Sequence, residues 1–216
     1  MSEAKKPLSR AEQKLETRRR ILDAAGRAFR RGGLGGSGVD GLANEAGVTS
    51  GAFYVHFESK SSAFRESVVQ GVSDVATGVR YFQAAHGSRW WREFVRFYLG
   101  EKRKCDLPES CGLQSLASDV ARADESSRGA FTAELLKVAT AMASGPATAD
   151  GPSTVDEAHA ALATLIGAVT LARAVNDPVM ARKLASSAER TLLSPQRRAP
   201  ATKRERRQPR PRPTAG

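Results

Sequence analysis

One stretch of the sequence decides the fold: VDGLANEAGVTSGAFYVHFESK, residues 39–60. Its first part places Leu42 and Ala43 on one helical face and ends at Gly47, since glycine can take the positive φ that turns a chain out of a helix. Thr49 follows, and threonine is a good N-cap for a second helix. The stretch therefore predicts two short helices joined by about three residues, which is the spacing of a helix-turn-helix.

The second of these helices has two different faces. At about 100° per residue, Phe53 and Phe57 lie within about 40° of each other and form the buried edge. Gly51 and Val55 point the opposite way, and small residues there let a helix backbone approach the floor of a DNA major groove. Val55 could then touch a thymine methyl group. The pattern favours a helix that enters the major groove.

Polar side chains surround that outward face. Tyr54, His56 and Lys60 are placed to reach phosphates, and Ser50 in the first turn can meet base edges. Phosphate contacts position a protein on DNA, whereas base contacts select the sequence. We therefore interpret residues 50–60 as a DNA reader. The alternative is a short helical hairpin of another α-helical protein, which would not need the turn glycine, the cap, the buried aromatics and Lys60 together.

Residues 17–64 resemble the DNA-binding domain of the TetR/AcrR family of bacterial transcriptional regulators. The resemblance rests on TRRRILDAA (17–25), LANEAGVT (42–49) and GAFYVHFESK (51–60). It implies a homodimer whose recognition helices enter successive major grooves of a palindromic operator, and a C-terminal helical domain that binds a small effector. The DNA-binding positions that it implies are Thr17, Arg18, Thr49, Ser50, Gly51, Ala52, Tyr54, Val55, His56 and Lys60, with Thr17 and Thr49 at phosphate.

Two glycines depart from the family pattern. Gly38 stands where the family usually has a Ser or Thr cap, and Gly41 lies inside the first short helix. Each should cost that helix roughly 0.5–1 kcal/mol. We therefore expect the first short helix to be loose until DNA binds.

Helical periodicity continues along the chain, so the predicted fold class is all-α. Helices are expected at about 9–31, 39–46, 50–56, 59–82, 89–100, 126–142, 153–176 and 178–193, with loops at 105–111 and 145–151. The predicted domains are a flexible N-terminal arm (1–10), a helix-turn-helix DNA-binding domain (11–62), a larger helical dimerisation and effector domain (63–193) and a disordered basic tail (194–216).

The net charge of +11 is concentrated at the two ends of the chain. Residues 1–60 carry +4, residues 61–193 carry 0 and residues 194–216 carry +7. Basic ends on a neutral body suit a polyanionic partner such as double-stranded DNA, but charge alone does not separate DNA from RNA or anionic lipid. They also leave open a non-specific or architectural nucleic-acid binder, in which the tail supplies most of the affinity. The tail could equally be a solvated appendage.

An aromatic cluster marks a candidate effector site. Trp90, Trp91, Phe94, Phe97 and Tyr98 fall within nine residues. They either form ordinary core or partly line a pocket between helices. Residues 111–131 weakly resemble a branch of the same family that includes electrophile- and redox-responsive repressors. On that resemblance Cys111 belongs to the effector site as a sensing thiol resolved by Cys105; the alternative is an inert, packed thiol.

Other functions receive little support from the sequence. Gly33 to Gly38 fits G-x-G-x-x-G, but a dinucleotide site needs a preceding strand and a helix precedes it here. Cys105 and Cys111 do not have zinc-site spacing, so we expect no metal, and we also expect no cofactor and no catalytic activity. Residues 155–175 are apolar nearly all round. Together with residues 179–193 they predict half of an intermolecular four-helix bundle; the alternative is the central helix of a monomer, and the family resemblance favours the dimer.

A cytoplasmic protein without a membrane segment is expected. Two cysteines do not make a disulfide framework, and no apolar run follows the first ten residues. The most apolar stretch, 158–175, is interrupted by His159 and Arg173 and falls short of the ~20 clean apolar residues that a span needs.

Overall fold

Helices make up nearly all of the regular structure in the computed structural model, which describes residues 9–194. Within that part the helices are α1 (Arg10–Gly32), α2 (Val39–Glu45), α3 (Ser50–His56), α4 (Lys60–His86), α5 (Trp90–Phe97), α6 (Gly112–Val120), α7 (Glu125–Ala143), α8 (Val155–Ala174) and α9 (Pro178–Leu192). Short 3₁₀ turns lie at Gly87–Arg89 and Leu107–Glu109, and a π-helical turn at Tyr98–Lys102 continues α5. The predicted all-α class is confirmed. Nearly all of the predicted N-terminal arm and basic tail lies outside the described residues.

Helices α1 to α3 form a small N-terminal unit on the first turns of α4. Ser9 and Glu12 form a capping box that starts α1. Phe29 of α1 meets Phe64 of α4 edge to face, with ring centroids 5.3 Å apart. The predicted boundary at 62/63 falls inside the first turn of α4, so this helix is shared by both halves of the chain and the boundary remains a prediction.

The larger helical part is built around α4, which packs along α7, while α8 contacts both α7 and α9. Helix α4 turns an apolar stripe toward this core, the α4 stripe: Val68, Val72 and Val79 are fully buried, while Val75 and Phe82 are half-buried. The core of this part therefore lies between α4 and the helices that follow it.

Helix α6 was not predicted: the expected loop ended at residue 111, the next expected helix began at 126, and residues 112–125 received no assignment. Its first residue is Gly112 and its N-cap, Cys111, makes no side-chain capping bond, so the usual sequence signals are missing. The glycine has a packing role instead. A Cβ on Gly112 would lie 2.7 Å from the Cα of Gly71, so α6 crosses α4 at a distance that only glycine allows.

Helix α8 corrects the expectation that the apolar stretch at 158–175 is too short for a membrane span. By length and composition alone it is apolar enough to cross a membrane, with a mean hydropathy of 1.3. Such a helix is weak evidence of a span, since core helices have the same composition. Here Ala158, Leu165 and Val169 are buried in the protein core. Leu171, however, is about half exposed, so part of the helix is uncovered in the single chain.

Candidate nucleic-acid interface

The turn between α2 and α3 has the geometry predicted from its sequence. Gly47 has a φ of +66°, the left-handed region that glycine accepts at little cost. The Thr49 Oγ1 accepts a hydrogen bond from the Ala52 backbone N–H at 3.1 Å, which caps α3. These two residues fix the angle at which α3 leaves the turn, and so fix which of its faces meets the solvent.

Helix α3 presents its small and polar side outward. Phe53 and Phe57 are buried, with 0% and 3% of their surface exposed, and their rings lie 5.5 Å apart. Val55 is 67% exposed and Tyr54 is 56% exposed, although both are large enough to be buried. The expected orientation of this helix is therefore confirmed.

The other predicted DNA-facing residues lie around that helix at different depths. Gly51 and Thr49 are exposed. Five more are half-buried: Thr17, Ser50, Ala52, His56 and Lys60. The structure thus brings the predicted residues of α3 and its caps to one surface, which we call the α3 surface (residues 49–56 and Lys60).

Two of the predicted contacts are engaged within the chain. Both carboxylate oxygens of Glu66 accept hydrogen bonds from Arg18 Nη2, at 2.7 and 2.5 Å. The same guanidinium lies 4.7 Å from the centre of the Phe57 ring, as in a cation–π contact. Ser50 donates a short hydrogen bond to Asp40 on α2. Arg18 and Ser50 therefore also hold α3 in place, a role that the sequence pattern did not reveal.

His56 has an unusual environment for a residue that is predicted to contact a phosphate. Its Nδ1 is buried and has no hydrogen-bond partner within the described residues. Burial is the main cause that lowers the pKa of His56, and the positive charges of Lys14 and Arg18 lower it further. A nearby phosphate would oppose these effects, because a negative charge favours the protonated ring.

The first short helix is confirmed to lack a side-chain cap. Gly38 is its N-cap and makes no side-chain hydrogen bond, and Gly41 is exposed within the helix. Helix α2 is instead held through Asp40, which receives Ser50, and through Glu45, which contacts Arg31 at 3.1 Å. Its anchoring thus comes from α1 and α3.

A second candidate site is a cavity of about 580 Å³. Helices α4 and α5 and the residues before α6 form most of its wall. The lining includes four of the six predicted effector residues, namely Phe94, Phe97, Tyr98 and Cys111. It also includes residues that the sequence did not single out, among them Arg30, Asp74, Tyr81, Phe82, Lys102 and Glu109.

The two tryptophans are not on that lining. Trp90 and Trp91 are each 1% exposed. Their Nε1 groups donate to the main-chain carbonyls of Pro146 and Leu192, at 2.9 and 3.0 Å. Because a buried indole needs an acceptor, these bonds mark both residues as core that ties α5 to the 145–151 loop and to α9. Neither tryptophan lines the cavity, and their predicted contact with an effector stays a prediction.

The cysteines are both free thiols. Cys111 is buried at the cavity wall, and Cys105 is half-buried, with its Sγ 3.1 Å from the Lys102 carbonyl oxygen. Among residues 9–194 no group of three His, Cys, Asp or Glu side chains is arranged to hold a metal ion. A sensing role for Cys111 stays a prediction.

These features define a class: an all-α protein with an N-terminal helix-turn-helix and a larger helical domain that encloses a cavity. Residues 21–66 match the family described as "Bacterial regulatory proteins, tetR family". The chain is 47% identical over 51 residues to the HTH-type transcriptional regulator AcrR of Shigella flexneri, a match that covers 24% of each chain. The matched region thus spans about a quarter of this relative's length.

Solved structures extend the likeness to most of the chain. A TetR-family transcriptional regulator from Agrobacterium tumefaciens has a TM-score of 0.66 at 18% identity, covering 83% of this chain and 98% of that one. The multidrug binding protein EbrR, solved in complex with proflavin, has a TM-score of 0.55 at 22% identity, covering 81% and 99%. Identities this low establish the fold alone. Residues 21–66 thus match the tetR family by sequence, and the rest of the chain resembles TetR-family structures in its fold.

Proposed function

We propose that this protein is a dimeric, sequence-specific DNA-binding regulator of transcription, a repressor that a small effector releases from a palindromic operator. The observation that carries the proposal is the α3 surface: two phenylalanines are buried behind a helix whose outer side exposes Gly51, Tyr54 and Val55. An exposed face with a glycine and a valine lets the backbone of a capped helix approach the floor of a major groove. Such a regulator acts in the cytoplasm.

On DNA, the small outer residues of α3 would lie against the major-groove floor. Val55 is placed for a thymine methyl group and Ser50 for a base edge. Tyr54, His56 and Lys60 would contact phosphates on either side, together with Thr17 and Thr49. Arg18 would act mainly by holding Phe57 and Glu66, since its guanidinium is already engaged with both.

A dimer is supported by apolar residues left exposed near the end of α8 and the start of α9. Leu171, Val179 and Met180 are each about half exposed in the single chain. A two-fold pairing would bury this surface against its own copy, which is the usual form of a homodimer interface. A palindromic site requires that such a pairing leave the two α3 surfaces on one side of the assembly.

Effector control is supported by the position of the cavity. Its lining combines Arg30 from α1, a stretch of α4 and the residues that begin α6. The structural neighbour EbrR was solved in complex with proflavin, which supports a small-molecule site in this chain as well. An effector that binds more tightly to the form unable to bind DNA would shift the population toward that form.

Selection of bound duplexes from a random DNA pool tests this function. We expect the full chain to enrich a palindrome with half-sites in successive major grooves. The rival function, a non-specific binder driven by the basic end, predicts no enriched sequence. It also predicts that deleting residues 194–216 removes most of the affinity, whereas the proposed regulator should lose affinity mainly at low salt and keep its preference.

A further inference from the structure

We propose that the cavity binds an uncharged, planar aromatic compound that carries a carbonyl oxygen, and that the Tyr98 hydroxyl donates a hydrogen bond to this oxygen. The inference rests on the proposed function, since it concerns the same effector site. It is tested by ligand binding without DNA, so its failure can be told apart from failure of the DNA-binding proposal.

The shape and composition of the cavity favour flat aromatic rings. Its volume of about 580 Å³ lies in the range of small-molecule sites. Phe82 forms the middle of its aromatic wall, with ring centroids 5.3 Å from Phe97 and 5.7 Å from Phe94. Tyr98 extends this wall, 5.8 Å from Phe94. Offset and edge-to-face contacts with such a wall are available to a planar ring system and much less so to a chain or a sugar.

The charges at the cavity argue against an ionised ligand. Two cations, Arg30 and Lys102, are balanced by two anions, Asp74 and Glu109. The cations also have acceptors within the chain, because Arg30 Nε donates to the Pro108 carbonyl and Lys102 Nζ to the Glu109 carbonyl. An ionised ligand loses its hydration on entry and needs a surplus of opposite charge to compensate. This lining offers no such surplus.

The Tyr98 hydroxyl supplies the specific polar contact. Tyr98 lines the cavity and is 4% exposed, yet its oxygen has no hydrogen-bond partner within residues 9–194. The Cys111 thiol interacts with this hydroxyl, but sulfur is only a weak hydrogen-bond partner and the geometry is not that of a normal bond. Arg173 also lies nearby; its Nη2 donates to the carbonyls of Lys102 and Cys105 at 2.9 Å each, and its Nε is a second buried group without a partner among residues 9–194. Since buried hydroxyls are nearly always paired, a ligand atom is the natural partner.

The protonation state of Tyr98 determines which kind of ligand atom can pair with its hydroxyl. Burial raises the pKa of the phenol well above its ordinary value, and the nearby Cys111 raises it further. The group therefore remains an O–H donor at any physiological pH. A carbonyl oxygen is an acceptor that a planar aromatic compound can carry without charge.

The test uses two probes that differ only at C9: 9-fluorenone has a carbonyl group there and fluorene has a methylene group. Equilibrium dialysis against the full chain gives both dissociation constants. We expect fluorenone to bind about 5- to 30-fold more tightly than fluorene, the range for one buried hydrogen bond that satisfies an orphan hydroxyl. Tyr98→Phe should bring this ratio close to 1 and should raise the apo melting temperature, because it removes a buried unpaired oxygen.

Tyr81→Phe is the matched control. Tyr81 also lines the cavity but is 66% exposed, so the loss of its hydroxyl should leave the ratio unchanged. Equal binding of the two probes to the wild type, or an unchanged ratio in Tyr98→Phe, would overturn the role of Tyr98. Failure of both probes to bind would overturn the ligand class. So would tighter binding of the cation N-methylacridinium or the anion fluorene-9-carboxylate than of fluorenone.

Discussion

Arg30 on α1 donates a hydrogen bond from Nε to the carbonyl oxygen of Pro108, so the first helix reaches the segment that leads into α6. Four residues later in the chain, the Leu34 backbone N–H donates to the Asp119 carboxylate of α6 at 3.1 Å. These two bonds join the helix-turn-helix unit to one wall of the cavity. A change in the position of that wall would therefore be transmitted to α1.

Asp119→Ala should weaken this connection. Its side chain is 17% exposed, and its loss leaves the half-buried Leu34 N–H without its acceptor. We expect the free energy of unfolding to fall by about 1–2 kcal/mol. Amide hydrogen exchange around residues 32–36 should also become faster. Urea unfolding and exchange mass spectrometry measure the two effects.

Asp156→Ala is the control for that change, since Asp156 is exposed in the first turn of α8. Its unfolding free energy should stay within about 0.5 kcal/mol of wild type. If Asp119→Ala matched this control in both measurements, the link between α1 and α6 would have no energetic importance.

The buried face of α3 should dominate the stability of the N-terminal unit. Phe53 is fully buried and packs on Phe57, so Phe53→Ala should cost about 3–5 kcal/mol of unfolding free energy. Val55→Ala, on the same helix but 67% exposed, should change it by less than about 0.5 kcal/mol. Chemical denaturation compares the two variants. Similar losses for both would contradict the orientation of α3.

Glycines of the helix-turn-helix should respond to alanine in opposite directions. A Cβ on Gly41 would make only ordinary contact with Ser37, at 3.6 Å, so Gly41→Ala should stabilise α2 by about 0.5–1 kcal/mol. Gly47 has a φ of +66°, so Gly47→Ala should destabilise by about 1–2 kcal/mol. Melting temperatures of the two variants give the signs. A loss of stability in Gly41→Ala would contradict the expectation that α2 has room for a Cβ at this position.

The N-terminus of α7 should contribute to acid sensitivity. Asp124 caps α7, and hydrogen bonds from the Ser126 hydroxyl and the Ser127 backbone N–H lower its pKa from 3.8 to about 2. A carboxyl whose folded pKa is depressed stabilises the fold above its unfolded pKa, and this stabilisation is lost as the pH falls from about 4 toward 2. Asp124→Asn keeps a capping oxygen but has no charge. Its free energy of unfolding should therefore differ from that of wild type more at pH 7 than at pH 2. Urea midpoints across this range decide, and parallel curves for the two proteins would refute the assignment.

Local signals were sufficient to predict the reader. The turn at Gly47, the Thr49 cap and the four-residue spacing of Phe53 and Phe57 depend on backbone preferences within one short stretch, so sequence alone indicated them. The all-α fold and the α4 stripe were predictable for the same reason.

The parts that sequence missed depend on distant contacts. Helix α6 exists where Gly112 meets Gly71, a contact between residues 41 positions apart that no local pattern encodes. The tryptophans were expected at the cavity because they share a helix with Phe94. Their orientation is instead set by the carbonyls of Pro146 and Leu192, far along the chain.

The assignment of α3 as the DNA reader is best tested by the affinity of Tyr54→Ala for the selected palindrome. Tyr54 is 56% exposed on α3, and Tyr81→Ala is a suitable control because Tyr81 is the other exposed tyrosine of the chain and lies on α4. Tyr54→Ala should lose roughly tenfold or more in affinity for this DNA, while Tyr81→Ala should bind it like wild type. Wild-type affinity in Tyr54→Ala would contradict the assignment of α3 as the DNA reader.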